Sequence, residues 1–425
     1  MSLPNTVPRR KVLLLNFIHY GHILPLLELG KKLSQYHDVD FVVATARIPE
    51  IQSRGLLPSE GTTATTGSLN LADLRDGLSL DACNVIGDGA VAFVQRLNVV
   101  VDAFNIYLES HAAPDIIIAD HFLHRAAKIS HLRGIPFYFF HTASALSALE
   151  VYDAGNKPGM EFEDGLYLLM KEATVHATGI IISTARELHP DAVAKLEANP
   201  ALSGKDLRLV GPIFAPASSR ATEQAEIWAW LDHRPTGSVV YVSFGSLICP
   251  APKQLYELGR ALFLLGKPFI LSLRTAQRHH LPEELHSGAP GDGRDFLIAE
   301  WAPQKMILGH PSLAVFVSHC GWNSATEAIL GGVPVVGWPF NGDQYDNSEW
   351  FRVHGIGEKF AGTGQRSEKV LAADEIARLI RKVADWDGSA EGSYKRKAVQ
   401  WSAVLRNAIG PTGSSTKDFE QLAKF

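Results

Sequence analysis

The stretch 301–344, WAPQKMILGHPSLAVFVSHCGWNSATEAILGGVPVVGWPFNGDQ, leaves this chain little choice of fold. Trp301, Pro303 and Gln304 lead into a short helical segment that runs to Leu308. The run LAVFVS at 313–318 is β-branched and aromatic, as a strand buried on both faces of a parallel sheet should be. It stops at His319-Cys320-Gly321-Trp322-Asn323-Ser324, and residues 325–330, with Glu327 among them, read as a helix. Gly331-Gly332-Val333-Pro334 breaks that helix, and VPVVGW returns as a second strand. A strand, a glycine-bearing turn and a helix N-terminus together make an anion site. The first-turn N–H groups lack intrahelical partners, and the helix dipole favours negative charge by ~0.3–1 kcal/mol. His319, Asn323 and Ser324 add side-chain donors.

The rest of the chain has the composition of an ordinary globular protein, with 46% hydrophobic and 20% charged residues. A chain of 425 residues outgrows one core, and two domains of roughly 200 residues fit best. A net charge of −5 excludes an electrostatic nucleic-acid binder. Cys83, Cys249 and Cys320 are too few and too scattered for a disulfide framework or a zinc site. The apolar run near the N-terminus stops at Asn16, too short for a signal peptide, and the C-terminal stretch is amphipathic rather than spanning. A cytoplasmic protein that contacts no membrane is expected.

In chain order, residues 11–17 (KVLLLNF) read as a first buried strand, 19–22 as a turn and 23–36 as a helix. That is how a doubly wound α/β domain opens, and ligands bind outside the carboxyl ends of its strands. His22 lies there, although one histidine among 17 is a weak clue by itself. Residues 40–45, 114–120, 135–141, 179–183 and 207–210 supply further strands, and 58–90 reads as loop with short helices. Asp120 closes its strand and serves equally well as a helix N-cap. Residues 215–225 (APASSRATEQA) read as a linker. The second domain then opens with a strand at 238–244 and the turn Phe244-Gly245-Ser246.

The pattern W-A-P-Q…H-P…F-V-S-H-C-G-W-N-S-x-x-E…G-V-P…W-P…D-Q resembles the nucleotide-sugar signature of the UDP-dependent glycosyltransferases, plant-type small-molecule enzymes above all. The stretch F-x-x-x-G-H-I-x-P-x-L-x-L resembles the family's first strand-turn-helix, and P-D-x-x-x-x-D at 114–120 its next acidic strand. The resemblance implies a GT-B fold, two Rossmann-like doubly wound domains facing a cleft. Residues 1–214 would bind the acceptor and 226–405 the UDP-sugar, with 406–425 crossing back as a helix. It implies that His22 is the general base and that Asp120 orients it. His19 falls on a position the family does not use for catalysis. Trp301 would stack on uracil, Gln304 meet the nucleoside and Glu327 accept from the ribose hydroxyls. Ser246, His319, Asn323 and Ser324 would bind the diphosphate. Trp322, Asp343 and Gln344 would bind the sugar, with Thr142 touching it from the first domain.

The expected reaction is an inverting transfer of glucose from UDP-glucose to a small hydroxylated acceptor, by a monomer that needs neither metal nor cofactor. Phe93, Phe122, Phe139, Phe140 and Tyr152 are candidates for an aromatic acceptor pocket, and equally for core. Two D-x-D triplets, at 38–40 and 385–387, read as solvated turn carboxylates rather than metal ligands. The alternatives are a UDP-sugar epimerase or hydrolase on the same fold, and a non-catalytic UDP-sugar-binding partner protein. A nicotinamide dehydrogenase is disfavoured because neither domain opens on G-x-G-x-x-G.

Overall fold

The structure is a computed structural model describing residues 8–57, 67–85, 90–154, 162–214, 221–286, 295–364, 367, 369–388 and 393–425. The chain divides into two compact units, Met1–Pro216 with Asn407–Phe425, and Ala217–Arg406.

The first unit is built on strands β1 (Lys11–Leu15), β2 (Asp38–Val43), β3 (Ser68–Asp73), β4 (Ile116–Asp120), β5 (Phe137–His141), β6 (Gly179–Ile182) and β7 (Asp206–Leu209). All pair in parallel, in the order β3-β2-β1-β4-β5-β6-β7. Continuous apolar runs such as IIIAD and FYFFH are buried along their whole length, because helices cover both faces of the sheet. The order reverses between β1 and β4. There the two loops leave in opposite directions and open a crevice at the strand ends.

β3 lies within the stretch expected to be loop. Its sequence, SLNLAD, carries Leu69 and Leu71 on alternate positions, with Ser68, Asn70 and Ala72 on the opposite face. An edge strand needs one apolar face only, so the signal was weaker than a central strand's. The helix Ala90–Ser110 is, over Val91–Ser110, long and apolar enough to span a bilayer by composition alone. Leu97, Val100, Val101 and Phe104 bury one side of it in the core of this unit.

The second unit carries β8 (Val239–Ser243), β9 (Phe269–Ser272), β10 (Phe296–Ala299), β11 (Leu313–Ser318), β12 (Val335–Gly337) and β13 (Gly357–Lys359). The order is β10-β9-β8-β11-β12-β13, again parallel, and it reverses between β8 and β11. β13 (GEK) is three residues with no apolar side chain, which no periodicity could have marked. The helix Ala221–Asp232 begins inside the expected linker. Ala, Glu and Gln there are strong helix formers, and their polarity alone resembled a linker's. Residues 215–220 lie outside the described residues.

The final helix, Ser414–Leu422, belongs to the first unit. Asp418 Oδ2 accepts from Leu209 N at 3.0 Å, Ser415 Oγ donates to Gly211 O at 2.6 Å, and Phe419 and Leu422 enter the core. His37, fully buried, clamps the end of this helix. Its Nε2–H donates to Ala423 O at 3.0 Å while Nδ1 accepts from Arg10 N at 3.3 Å. Burial pushes its pKa down, against the opposing pull of the Ala423 carbonyl. A histidine depressed in the folded state contributes stability above its unfolded pKa of about 6.5, lost as pH falls through the folded value. Hydrogen-exchange protection factors over 414–425 should therefore drop below pH 6.5 before those of β1 and β4. A His37→Gln variant should be insensitive to pH over this window.

Candidate active site

Each reversal point gathers polar side chains, and each gathering is described within its own unit. In the first, β1 hands over to the helix Tyr20–Leu33, whose first turn contains His22. β4 ends on Asp120, which is fully buried. His22 Nδ1–H donates to Asp120 Oδ2 at 2.7 Å, since an ionised carboxylate can only accept. The other oxygen, Oδ1, accepts from Phe122 N at 3.0 Å, the local turn bond that made Asp120 resemble a cap. One carboxylate thus serves both readings, with one oxygen for each. Burial raises the Asp120 pKa, but the neighbouring His22 and His121 and the bonds to His22 and Phe122 outweigh it, so the net shift is downward. Asp120 is ionised and Nδ1 keeps its proton, which leaves Nε2 of His22 as the nitrogen able to accept one.

Thr142, expected at the sugar, is buried with Oγ1 3.1 Å from His22 Nδ1, so it supports the imidazole within this unit. Phe122 and Phe17 pack against the His22 ring, at 5.2 and 5.5 Å between centroids, and Phe93 packs on both phenylalanines. Phe93 and Phe122 are only partly buried and border the histidine, whereas Phe139, Phe140 and Tyr152 are core. His19 is held neutral: burial first, then the nearby charges of His22, Arg47 and Arg96, push it down to about 3.

Two residues of this half-site were not foreseen. His121 is buried beside Asp120, and His141 at the end of β5 stacks on it at 4.4 Å. Adjacency to Asp120 was the only sequence signal for the first, and none marked the second. Among the described residues, His22, Asp120 and His121 form a group of possible metal ligands. Nδ1 of both histidines faces an oxygen acceptor, Asp120 Oδ2 and Phe140 O respectively, so each carries a proton there.

In the second unit, β8 runs into Gly245-Ser246 and β11 into His319-Cys320-Gly321, side by side at the reversal point. The helix Trp322–Gly331 starts there on Gly321, an N-cap with no side-chain acceptor, as an anion site requires. Glycine is needed at both turns. A Cβ on Gly245, whose φ is +75°, would lie 2.8 Å from the His319 imidazole, and one on Gly321 would lie 2.6 Å from it. Burial pushes His319 down to about 4, so it is a neutral donor. Arg274 donates to the carbonyl of Ser246, fixing that turn from β9's end.

Gln304 opens the short helix Gln304–Leu308, and its amide donates to Ser324 Oγ at 2.9 Å and to Glu327 Oε2 at 2.8 Å. The buried Tyr241 donates to Gln304 Oε1 at 3.3 Å. Burial raises the Glu327 pKa, with the Gln304 bond and Lys305 opposing. Trp301 keeps 38% of its surface exposed. Trp322 is buried. Asp343 Oδ2 accepts from Asn347 at 2.8 Å, and Asn347 also donates to Cys320 O at 3.0 Å, tying the two polar turns together. Gln344 spends its amide on the loop before it. Oε1 accepts from Phe340 N at 2.9 Å, and Nε2 donates to Asn341 Oδ1 at 2.9 Å. Tyr241, Arg274 and Asn347 were not foreseen; each acts by holding a residue that was. Asp38 and Asp40 lie within β2 rather than before it, paired to Ser68 and Asn70, and Asp387 is exposed.

Two parallel α/β units with polar clusters at their reversal points define a GT-B glycosyltransferase that takes a nucleotide sugar. The family described as "UDP-glucoronosyl and UDP-glucosyl transferase" matches residues 208–403. UDP-glycosyltransferase 72B1 of Arabidopsis thaliana is 27% identical over 95% of this chain and 93% of its own length. An anthocyanidin 3-O-glucosyltransferase of Gentiana triflora is 33% identical over 65% of this chain and 59% of its own. The crystal structure of TcCGT1 in complex with UDP superposes with a TM-score of 0.80 at 25% identity, covering 98% of this chain and 99% of that one. Over residues 208–403 the chain matches the model of that transferase family, and over nearly its whole length it is similar to plant UDP-glycosyltransferases. Its substrates are a UDP-sugar and a small molecule.

Proposed function

We propose that this enzyme transfers glucose from UDP-glucose to a hydroxyl of a small aromatic acceptor, with inversion, using His22 as general base. The observation that carries the reading is the 2.7 Å bond from His22 Nδ1 to a buried, ionised Asp120. As the acceptor oxygen attacks the anomeric carbon, its proton passes to His22 Nε2, and Asp120 stabilises the imidazolium that results. The C–O bond to UDP breaks on the opposite face, so an α-linked donor yields a β-glycoside. Charge that gathers on the departing diphosphate is met by Ser246, His319, Asn323, Ser324 and the N-terminus of the helix Trp322–Gly331. Glu327 takes the ribose diol, Trp301 the uracil face, and Trp322, Asp343 and Gln344 the sugar. Phe93 and Phe122 beside His22 favour an aromatic acceptor.

In this reading the enzyme acts as a cytoplasmic monomer without a metal, the charge on the departing diphosphate being met by the donors named above and the helix N-terminus. The test is a matrix of UDP-sugars against phenols, alcohols, amines and thiols, read by mass spectrometry and by the anomeric coupling constant in proton NMR. UDP-glucose with a phenol should give a β-glucoside at a rate unchanged by EDTA. An α-glycoside, or a rate that collapses with EDTA, would sink the mechanism. Turnover of UDP-glucose without acceptor would replace it with the epimerase or hydrolase reading.

A further inference from the structure

Behind His22 stands a column of buried rings. His121 lies near-parallel to His22, at 5.8 Å and 28°, and stacks on His141 at 4.4 Å and 16°. His141 Nε2 is 2.8 Å from the hydroxyl of Tyr152, which is buried in the core. Nδ1 of His121 lies 3.3 Å from Phe140 O and 3.7 Å from Asp120 Oδ1. A bare nitrogen lone pair would repel both oxygens, so Nδ1 carries the proton and its N–H dipole bears on the carboxylate.

We propose that His121 is a positioning residue of the base: Phe122 N holds Asp120 Oδ1, and the His121 Nδ1–H, bonded to Phe140 O and 3.7 Å from Oδ1, turns its dipole on that oxygen and leaves Oδ2 to His22. This rests on the reading of His22 as base. Burial supports it by holding His121 neutral, with its pKa pushed down to about 4 even beside Asp120. A charged imidazole there would compete with His22 for the carboxylate and repel the imidazolium formed in each turnover. The stack on His141 and Tyr152 fixes the ring plane, so the N–H direction is set by the core rather than by the site. The titratable and charged groups around the pair are His19 on its flank, Asp120, His121 and His141 behind, and Arg47 and Arg96 beyond His19.

His121→Phe keeps a flat ring in the stack and deletes the N–H; His121→Asn restores an N–H near the position of Nδ1. In the full enzyme, with a hydroxyl acceptor, His121→Phe should lower kcat about tenfold or more with the UDP-glucose KM little changed. The acid limb of its kcat/KM profile should move to higher pH, because a carboxylate that loses the neighbouring N–H dipole holds the His22 proton more tightly. His121→Asn should recover most of the rate and return the limb. Equal losses in both variants, or an unmoved limb in His121→Phe, would overturn the proposal. Should His121→Phe not fold, His121→Leu takes its place, measured in the parent and in a His22→Ala background: a loss in the parent that vanishes without His22 supports the role, and an equal loss in both refutes it. His22→Ala alone reports on the base. If it keeps full transfer, the base reading fails independently of anything His121 does.

Discussion

His22→Ala should reduce transfer to a hydroxyl acceptor by ~10²–10⁴, the usual contribution of a positioned general base. UDP binding should stay near the parent value, since all the residues assigned to the nucleotide lie in the other unit. Isothermal titration with UDP and a steady-state assay on the same preparation separate the two effects. Loss of both would mean that the fold had been damaged; retention of both would remove His22 from the mechanism. The side chain keeps 19% of its surface exposed, so its removal leaves no large cavity, and the melting temperature should hardly move. Asp120→Asn is the sharper variant. An amide facing Nδ1 presents an N–H where a carboxylate oxygen was, forces the other tautomer, and places the proton on the nitrogen that must receive one. Its loss should approach that of His22→Ala. The downward shift of the Asp120 pKa means that the carboxylate stays charged at and below the ordinary aspartate range. An acid limb near neutral pH therefore does not come from Asp120.

Glu327→Ala should weaken UDP binding by roughly 10–150-fold, the equivalent of the ~1.5–3 kcal/mol carried by hydrogen bonds to a charged group. The residue anchors a network as well as a ligand. Gln304 donates to Glu327 and Ser324 together, so removing the carboxylate also releases an amide that Tyr241 and Ser324 then hold less firmly. Glu327→Gln, of nearly the same shape, should lose most of the affinity too. A neutral amide offers one acceptor where two ribose hydroxyls require two. The sign of the pH effect follows from burial. The carboxyl of the empty site titrates above the ordinary glutamate range, and a ribose diol favours its charged form, so UDP binding releases a proton. UDP affinity should therefore rise with pH up to the raised pKa of the free carboxyl and level off above it. Glu327→Gln should show no such rise. Titration calorimetry in buffers of different ionisation enthalpy reads the released proton directly, and a variant that kept parental affinity would remove Glu327 from the ribose.

What could be read without coordinates follows from how local each feature is. The donor cluster from Trp301 to Gln344 is one passage through β11, the helix Trp322–Gly331 and β12, and its spacing is held by the period of those elements. β3 and β13 were missed for the opposite reason. Edge strands of the sequences SLNLAD and GEK bury little, and pairing with an existing sheet makes them strands. Among the aromatics, hydrophobicity could not separate Phe93 and Phe122, which border His22, from Phe139 and Phe140. The latter two are consecutive in β5 and point to opposite faces of one sheet, both buried.

The sequence by itself determined the likeness to UDP-glycosyltransferases, the two parallel α/β units and nearly the whole polar cluster proposed for the nucleotide, because strand runs, glycine turns and their polar residues are contiguous. Only the tertiary structure decided what Asp120 does. Its two oxygens are divided between a local turn and a histidine 98 residues away, brought together because β1 and β4 pair at the point where the strand order reverses. It also decided Thr142, 120 residues from the imidazole it touches, and the ring column of His121, His141 and Tyr152 behind it. Sheet pairing is a long-range event, and residues it makes neighbours leave no pattern in any window of the chain.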